Sequence, residues 1–135
     1  MLQKIRPDLQ KAKSLQRRAL ITLERLQHMP QEKYPSNTLL DYYDSIRQLL
    51  EALALVEGIK IKGEGAHREV IDFVCEKYSL EESTRLFLQE MRDYRNRISY
   101  EGFSINEHYI TSHRTRIGKI IQKLVTLLKV KASTP

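Results

Sequence analysis

The chain has 135 residues, 41% of them hydrophobic, which suits one helical domain spanning 1–135 with a real core. Its single cysteine, Cys75, excludes an internal disulfide and fits a reducing cytoplasm. No apolar run reaches the roughly eighteen residues of a membrane span, and "MLQKIRPDLQKAK" lacks the apolar centre of a secretory signal. The net charge of +6 is unevenly spread. Residues 1–28 hold seven Lys/Arg against two acids, residues 29–112 ten against fifteen, and residues 113–135 six against none. The basic ends read either as solvated helix faces or as surfaces for an anionic partner.

The first predicted helix covers about 3–28, where Ile5, Leu9, Ala12, Ala19, Leu23 and Leu26 fall on one stripe. His28-Met29-Pro30 ends it, "PQEKYPSN" is a loop, and Ser36 or Asn37 is placed to cap the next helix. That second helix, about 38–57, carries Leu39, Leu40, Tyr43, Ile46, Leu49, Leu50, Leu53 and Ala54. Its second half, "LLEALALVEG", is apolar nearly all round, so it is expected to be the most buried element, with Gly58 closing it. "IKIKGEGAH" reads as a loop. Gly58 and Gly63 have phosphate-loop spacing, but Glu64-Gly65 follows where Lys-Ser/Thr is required, and that reading is rejected.

A short third helix over about 66–78 points Val70, Ile71, Val74 and Cys75 inward. Ser79 with Glu82 reads as a capping box for a fourth helix, whose stripe is Leu80, Phe87, Leu88, Met91, Tyr94 and Ile98 and whose stop is Gly102. Ser104 with Glu107 reads as a second capping box, opening a last helix over about 105–130 lined by Ile110, Ile117, Ile120, Ile121, Leu124, Leu127 and Leu128. No strand pattern is visible. The expected fold is all-α: an antiparallel bundle of four long helices plus one short one.

The fourth helix ends in "MRDYRNRISYEGF". Arg85 has Glu81 or Glu82 in reach, and Arg97 has Asp93 on the favourable N-terminal side. Arg92 and Arg95 have no acid three or four residues away, and two such cations on one face repel by a few tenths of a kcal/mol. A phosphate, a carboxylate on another helix or a second subunit would relieve them. Asn96 and Tyr100 are helix neighbours, whereas Arg95 and Tyr100 lie about 140° apart on an ideal helix. They would share a site only if the helix loosens near Gly102 or a second subunit completes it. Arg116, Lys119 and Lys123 form a basic stripe on the last helix, either a solvated face or a guide for RNA. His108 and His113 match no metal-ligand spacing, and His67 reads as a helix-start residue. No metal or cofactor is expected.

"RNRISY" gives Arg95, Asn96, three residues and Tyr100. It resembles the signature of the HEPN domains, the higher eukaryotes and prokaryotes nucleotide-binding family, whose pattern is Arg, a polar residue, three more and a His. "DYYDSIRQLLEALALVEGIKIKGEGAH" is similar to the family's second helix, its glycine-containing turn and the His opening its next helix, here His67. The resemblance implies a HEPN-type bundle that forms a homodimer, with the motif in the cleft between two subunits. It also implies two functions. One is a nucleotide-, RNA- or partner-binding subunit, paired with a nucleotidyltransferase in a toxin–antitoxin or defence setting. The alternative is a metal-independent ribonuclease.

On the ribonuclease reading, Arg95 holds the scissile phosphate and Asn96 orients the groups, while Tyr100 acts as a weak acid or hydrogen-bond donor. Arg92 adds positive potential there, and Arg116 and Lys119 extend the RNA surface. Tyr100 stands where the family has His, and a phenol, ionising near pH ~10, is a poor base at neutral pH. Some relatives carry a nucleotidyl-accepting Tyr two residues further on, and Gly102 occupies that position here.

Overall fold

The computed structural model describes residues 1–132. In chain order its elements are strand β1 (Leu2–Lys4), helices α1 (Leu9–Gln27) and α2 (Pro35–Val56), strand β2 (Ile59–Ile61), and helices α3 (Ala66–Lys77), α4 (Glu82–Glu101) and α5 (Glu107–Ala132). The architecture is an all-α bundle with one small ribbon, in which β1 and β2 pair antiparallel with Leu2 opposite Ile61. The ribbon departs from the strand-free expectation. Residues 2–4 are not the first turn of a helix, because Pro7 and the capping residue Asp8 start α1 later, and the Asp8 carboxylate accepts from the Lys11 amide at 3.0 Å.

Helix α2 lies at the centre, as its all-round apolar half predicts. Leu39, Tyr43, Ile46, Leu49, Leu50 and Leu53 are completely enclosed. Val70, Ile71, Val74 and Cys75 of α3 meet it from one side, and Ile110, Ile117 and Leu124 of α5 from another. Burial pushes the Cys75 thiol up to about 11, so it is a packing group rather than a nucleophile.

The helix directions follow from which residues meet. Arg25 pairs with Asp41, and the Asp8 amide donates to the Leu55 carbonyl, so α1 and α2 are antiparallel. Gln89 reaches the Arg68 carbonyl while Arg85 reaches Asp72, and Tyr109 and Arg116 reach Glu90 and Ser83, so α4 is antiparallel to both α3 and α5. Helices α2 and α3 instead run the same way, with His67 against Tyr43 at one end and Tyr78 against Glu57 at the other. The bundle is therefore not antiparallel throughout. The segment containing β2 carries the chain back along α2 before α3 starts.

Three expected caps are differently built. Helix α2 begins at Pro35 with no side-chain cap, and the Ser36 hydroxyl accepts from the Ile105 amide at 3.1 Å, tying the start of α5 to the start of α2. Ser79 does not open α4. It takes the left-handed conformation (φ 54°) that closes α3, while the Leu80 amide donates to the Cys75 carbonyl at 2.9 Å. Helix α4 starts from Glu81 instead, and Glu82 pairs with Arg85. At α5, the Tyr109 amide donates to the Asn106 side chain at 3.2 Å in place of the expected Ser104 cap.

Glu57 ties together the C-terminal ends of α2, α3 and α5. Its carboxylate accepts from the Tyr78 hydroxyl at 2.8 Å and faces Lys131 at 3.1 Å and Lys77 at 3.7 Å. Burial pushes this carboxyl up, but the Tyr78 bond and the two lysines outweigh it and hold it below the ordinary 4.5. A group depressed in the folded state stabilises the fold above its unfolded pKa, and that stability disappears as pH falls through the folded value. Glu57→Gln should therefore flatten the loss of stability below about pH 4.5, read as urea midpoints across an acid series.

Gly58 adopts φ +74°, and a Cβ there would sit 2.8 Å from the Ile5 carbonyl oxygen. The Gly58 carbonyl accepts from the Ile5 amide at 2.8 Å, so the same close approach that excludes a side chain anchors the β1 segment. Gly118, inside α5, would put a Cβ into open space. Gly58→Ala should lose about 1–3 kcal/mol, whereas Gly118→Ala should gain about 0.5–1 kcal/mol, both measured by urea unfolding.

Candidate anion-binding site

Helix α4 runs without a break to Glu101, and Gly102 (φ 69°) closes it, its amide and that of Phe103 both meeting the Arg97 carbonyl. Arg97 does not pair with Asp93. Its guanidinium lies over the Phe103 ring at 4.2 Å and the Tyr94 ring at 5.8 Å. The chain reversal at Gly102 brings Phe103 back under Arg97, which no spacing within the helix reveals. Arg85 does pair with Glu82 as expected, and also reaches Asp72 of α3 at 3.1 Å.

Arg92 and Arg95 keep the isolation that the sequence suggests. Arg92 Nε donates to the Gln89 side chain at 2.8 Å. Arg95 Nη1 donates to the Asn96 side chain at 3.2 Å and lies 3.5 Å from the Tyr100 hydroxyl. Among the described residues no carboxylate is within ion-pair distance of either guanidinium. Arg95 and Tyr100 meet without any loosening of the helix, because the long arginine side chain spans the angle between them. The Tyr100 contact is at the weak limit for a hydrogen bond, and the ring is 76% exposed.

Three further residues join this pair. Tyr43 of α2 is fully buried, yet its hydroxyl has no hydrogen-bond partner. Burial pushes that phenol up to about 12, against the pull of Arg92, Arg47 and Arg95. Arg47, one turn along α2, is held by Glu51 at 2.8 Å and Asp44 at 3.5 Å. His67, in the first turn of α3, is half-buried with its ring 6.4 Å from that of Tyr43. Burial, then Arg47 and Arg95, lower its affinity for a proton, against the opposite pull of Glu51 and Asp44. Side chains of three helices thus act on one another here, and the arginines make the region positive.

Helix spacing marks Arg92, Arg95, Asn96 and Tyr100, whereas in the sequence Tyr43 reads as core, His67 as a helix start and Arg47 has no role. A cation on the most apolar helix was the available signal. Arg116 and Lys119 lie elsewhere. Arg116 Nη2 donates to the Ser83 carbonyl at 2.9 Å and its guanidinium covers the Phe87 ring at 4.4 Å. That contact is twelve residues before Arg95, or about 18 Å along α4. Lys119 and Lys123 line a groove with Arg116 against the start of α4. Among the described residues no group of three or more His, Cys, Asp or Glu is placed to hold a metal, and no helix is long and apolar enough to cross a membrane.

No family model, no curated protein and no solved structure matches this chain.

A buried hydroxyl without a partner costs about 1–3 kcal/mol. Tyr43→Phe removes it at almost constant shape, so the ligand-free variant should be as stable as the parent or up to about 1 kcal/mol more stable by urea unfolding.

Proposed function

We propose that this chain is a HEPN-like binding subunit that takes a phosphate of a nucleotide or of RNA at Arg92 and Arg95. The observation that carries the reading is the pair itself: two half-buried guanidiniums with neutral hydrogen-bonding partners only, whose charge acts on a buried hydroxyl that lacks a partner. Phosphate is the natural counterpart, since guanidinium forks match its oxygens and the hydroxyl can donate to a third. The family resemblance adds the expectation that the site opens onto a second copy of the chain, and that a nucleotidyltransferase is a further partner.

Metal-independent RNA cleavage is the second reading. Its support is that the three motif residues meet, with Arg95 touching both Asn96 and Tyr100. Against it, Tyr100 is mostly in solvent, where a proton donor is neither fixed nor desolvated. Binding therefore ranks above cleavage. The groove at Arg116 and Lys119 is too far from Arg95 to hold the same phosphate, so only an RNA several nucleotides long would touch both.

The two readings separate in one series. Adenosine monophosphate affinity at low salt should fall about tenfold or more in Arg92→Ala and Arg95→Ala, and stay unchanged in Lys119→Ala. Equal affinity in all four proteins would remove the binding reading. In a metal-free assay with labelled RNA, cleavage that Arg95→Ala and Tyr100→Phe both abolish would promote the enzyme reading, and intact RNA throughout would end it for the substrates used.

A further inference from the structure

Away from the arginine pair, a cavity of about 110 Å³ lies where α1, α2, α3 and β2 meet. Its apolar walls are Leu15, Ala54, Leu55, Ile59, Ile61 and Val70. Protein interiors leave few voids larger than a water molecule. On the same helix as Ala54, Leu49, Leu50 and Leu53 are completely enclosed, so the space is local and the bundle is not loosely packed. It exists because Ala54, and Ala66 at the start of α3, carry short side chains. A dry cavity of about 150 Å³ is enough for benzene, so this one has room for about four carbon atoms. Charged residues complete the lining. Lys60 belongs to β2, where Ile59 and Ile61 take the inward face, so strand alternation turns its side chain away. Lys11 stands one turn before Leu15 on α1, is exposed, and has no carboxylate within ion-pair distance among the described residues. Glu51 stands one turn before Leu55 on α2, and only its Oε1 is engaged, by Arg47 at 2.8 Å. Both reach solvent. The open side thus presents a cation and a carboxylate, held apart, over an apolar interior.

We propose that this cavity binds a free aliphatic α-amino acid of up to leucine size, its side chain between Ala54 and Val70, its carboxylate on Lys11 and its ammonium on Glu51. The reading follows from size and charge together. A four-carbon branched side chain matches the space, and an aromatic one exceeds it. Opposite charges at the mouth select a zwitterion, since a simple carboxylate meets Glu51 and a simple amine meets Lys11 as a like charge. Ion pairs in contact with water contribute little on their own. Affinity therefore comes mainly from burying the side chain, and the two ionic ends supply selectivity. The cavity shares no lining residue with Arg92 and Arg95, so it stands independently of the anion site.

Leucine, glycine and leucinol are the probes, titrated into the whole chain and followed by its methyl and amide resonances. Leucine should give saturable shifts at Ala54, Ile59 and Val70, with an affinity about tenfold or more above that of glycine, which has nothing to bury. Leucinol keeps the side chain and the ammonium but lacks the carboxylate, and should bind several-fold more weakly than leucine. Ala54→Leu fills the cavity and should abolish leucine binding, with a melting temperature checking that it is folded. Lys11→Gln, on the exposed side of α1, tests the same claim without touching the core. It should weaken leucine several-fold and leave leucinol unchanged. No saturable shift with leucine, equal affinity for leucine and glycine, binding that survives Ala54→Leu in a folded protein, or leucine affinity unaltered by Lys11→Gln would each overturn the proposal.

Discussion

The structure depends on the burial of helix α2. Twelve of its twenty-two residues are interior, and α1, α3, α4 and α5 all pack against it. A helix enclosed to that extent obliges every polar group on it to find a partner inside the protein. Most do. Thr38 donates to the Gln31 carbonyl, Tyr42 to the Gln31 side chain and Ser45 to the Asp41 carbonyl, each at 2.9 Å. Arg47 spans Asp44 and Glu51. Three buried side-chain atoms of α2 lack a partner, the Tyr43 hydroxyl, Arg47 Nε and Gln48 Oε1, and of these the Tyr43 phenol is the one on which Arg92 and Arg95 act.

The half-buried arginines give the same contrast from the other side. Arg47, Arg85 and Arg114 each meet a carboxylate, the last that of Glu32, and Arg97 is stacked on Phe103. Arg92 and Arg95 have neutral hydrogen-bonding partners, plus one exposed ring 5.7 Å from Arg95. A sequence optimised for the fold alone would not leave one hydroxyl and two cations unmatched in the same place. Two cations without a carboxylate, together with a buried hydroxyl without a partner, point to a functional site. Elsewhere along α4 the packing is well matched. Phe103, Tyr94, Tyr109, His113 and Phe87 form a row of touching rings along the seam with α5, with Arg97 at one end and Arg116 at the other.

Much of the fold was legible in the sequence, because it rests on long helical periodicities. The five helices, the centrality of α2 and the inward face of α3 all follow from the apolar spacing. The errors fall where two elements compete for one residue. Ser79 has the chemistry of a cap for α4, but the left-handed turn closing α3 takes it first. Ser36 is drawn away from its own helix by the Ile105 amide. Residues 2–4 carry no strand signature, and their pairing with residues 59–61 arises only once α1 and α2 have packed. At the site, the isolation of Arg92 and Arg95 was readable from helix spacing. The contributions of Tyr43, Arg47 and His67 were not, since they depend on how α2 and α3 are laid beside α4.

The central claim is that Arg92 and Arg95 serve a ligand and not the fold. Its most direct test is the stability of the ligand-free double variant Arg92→Gln/Arg95→Gln in a low-salt, anion-poor buffer. The account predicts unchanged or slightly higher stability, by up to about 1 kcal/mol, because two mutually repelling cations are relieved. A loss of more than about 2 kcal/mol would mean that the pair holds the bundle together, and would contradict the account.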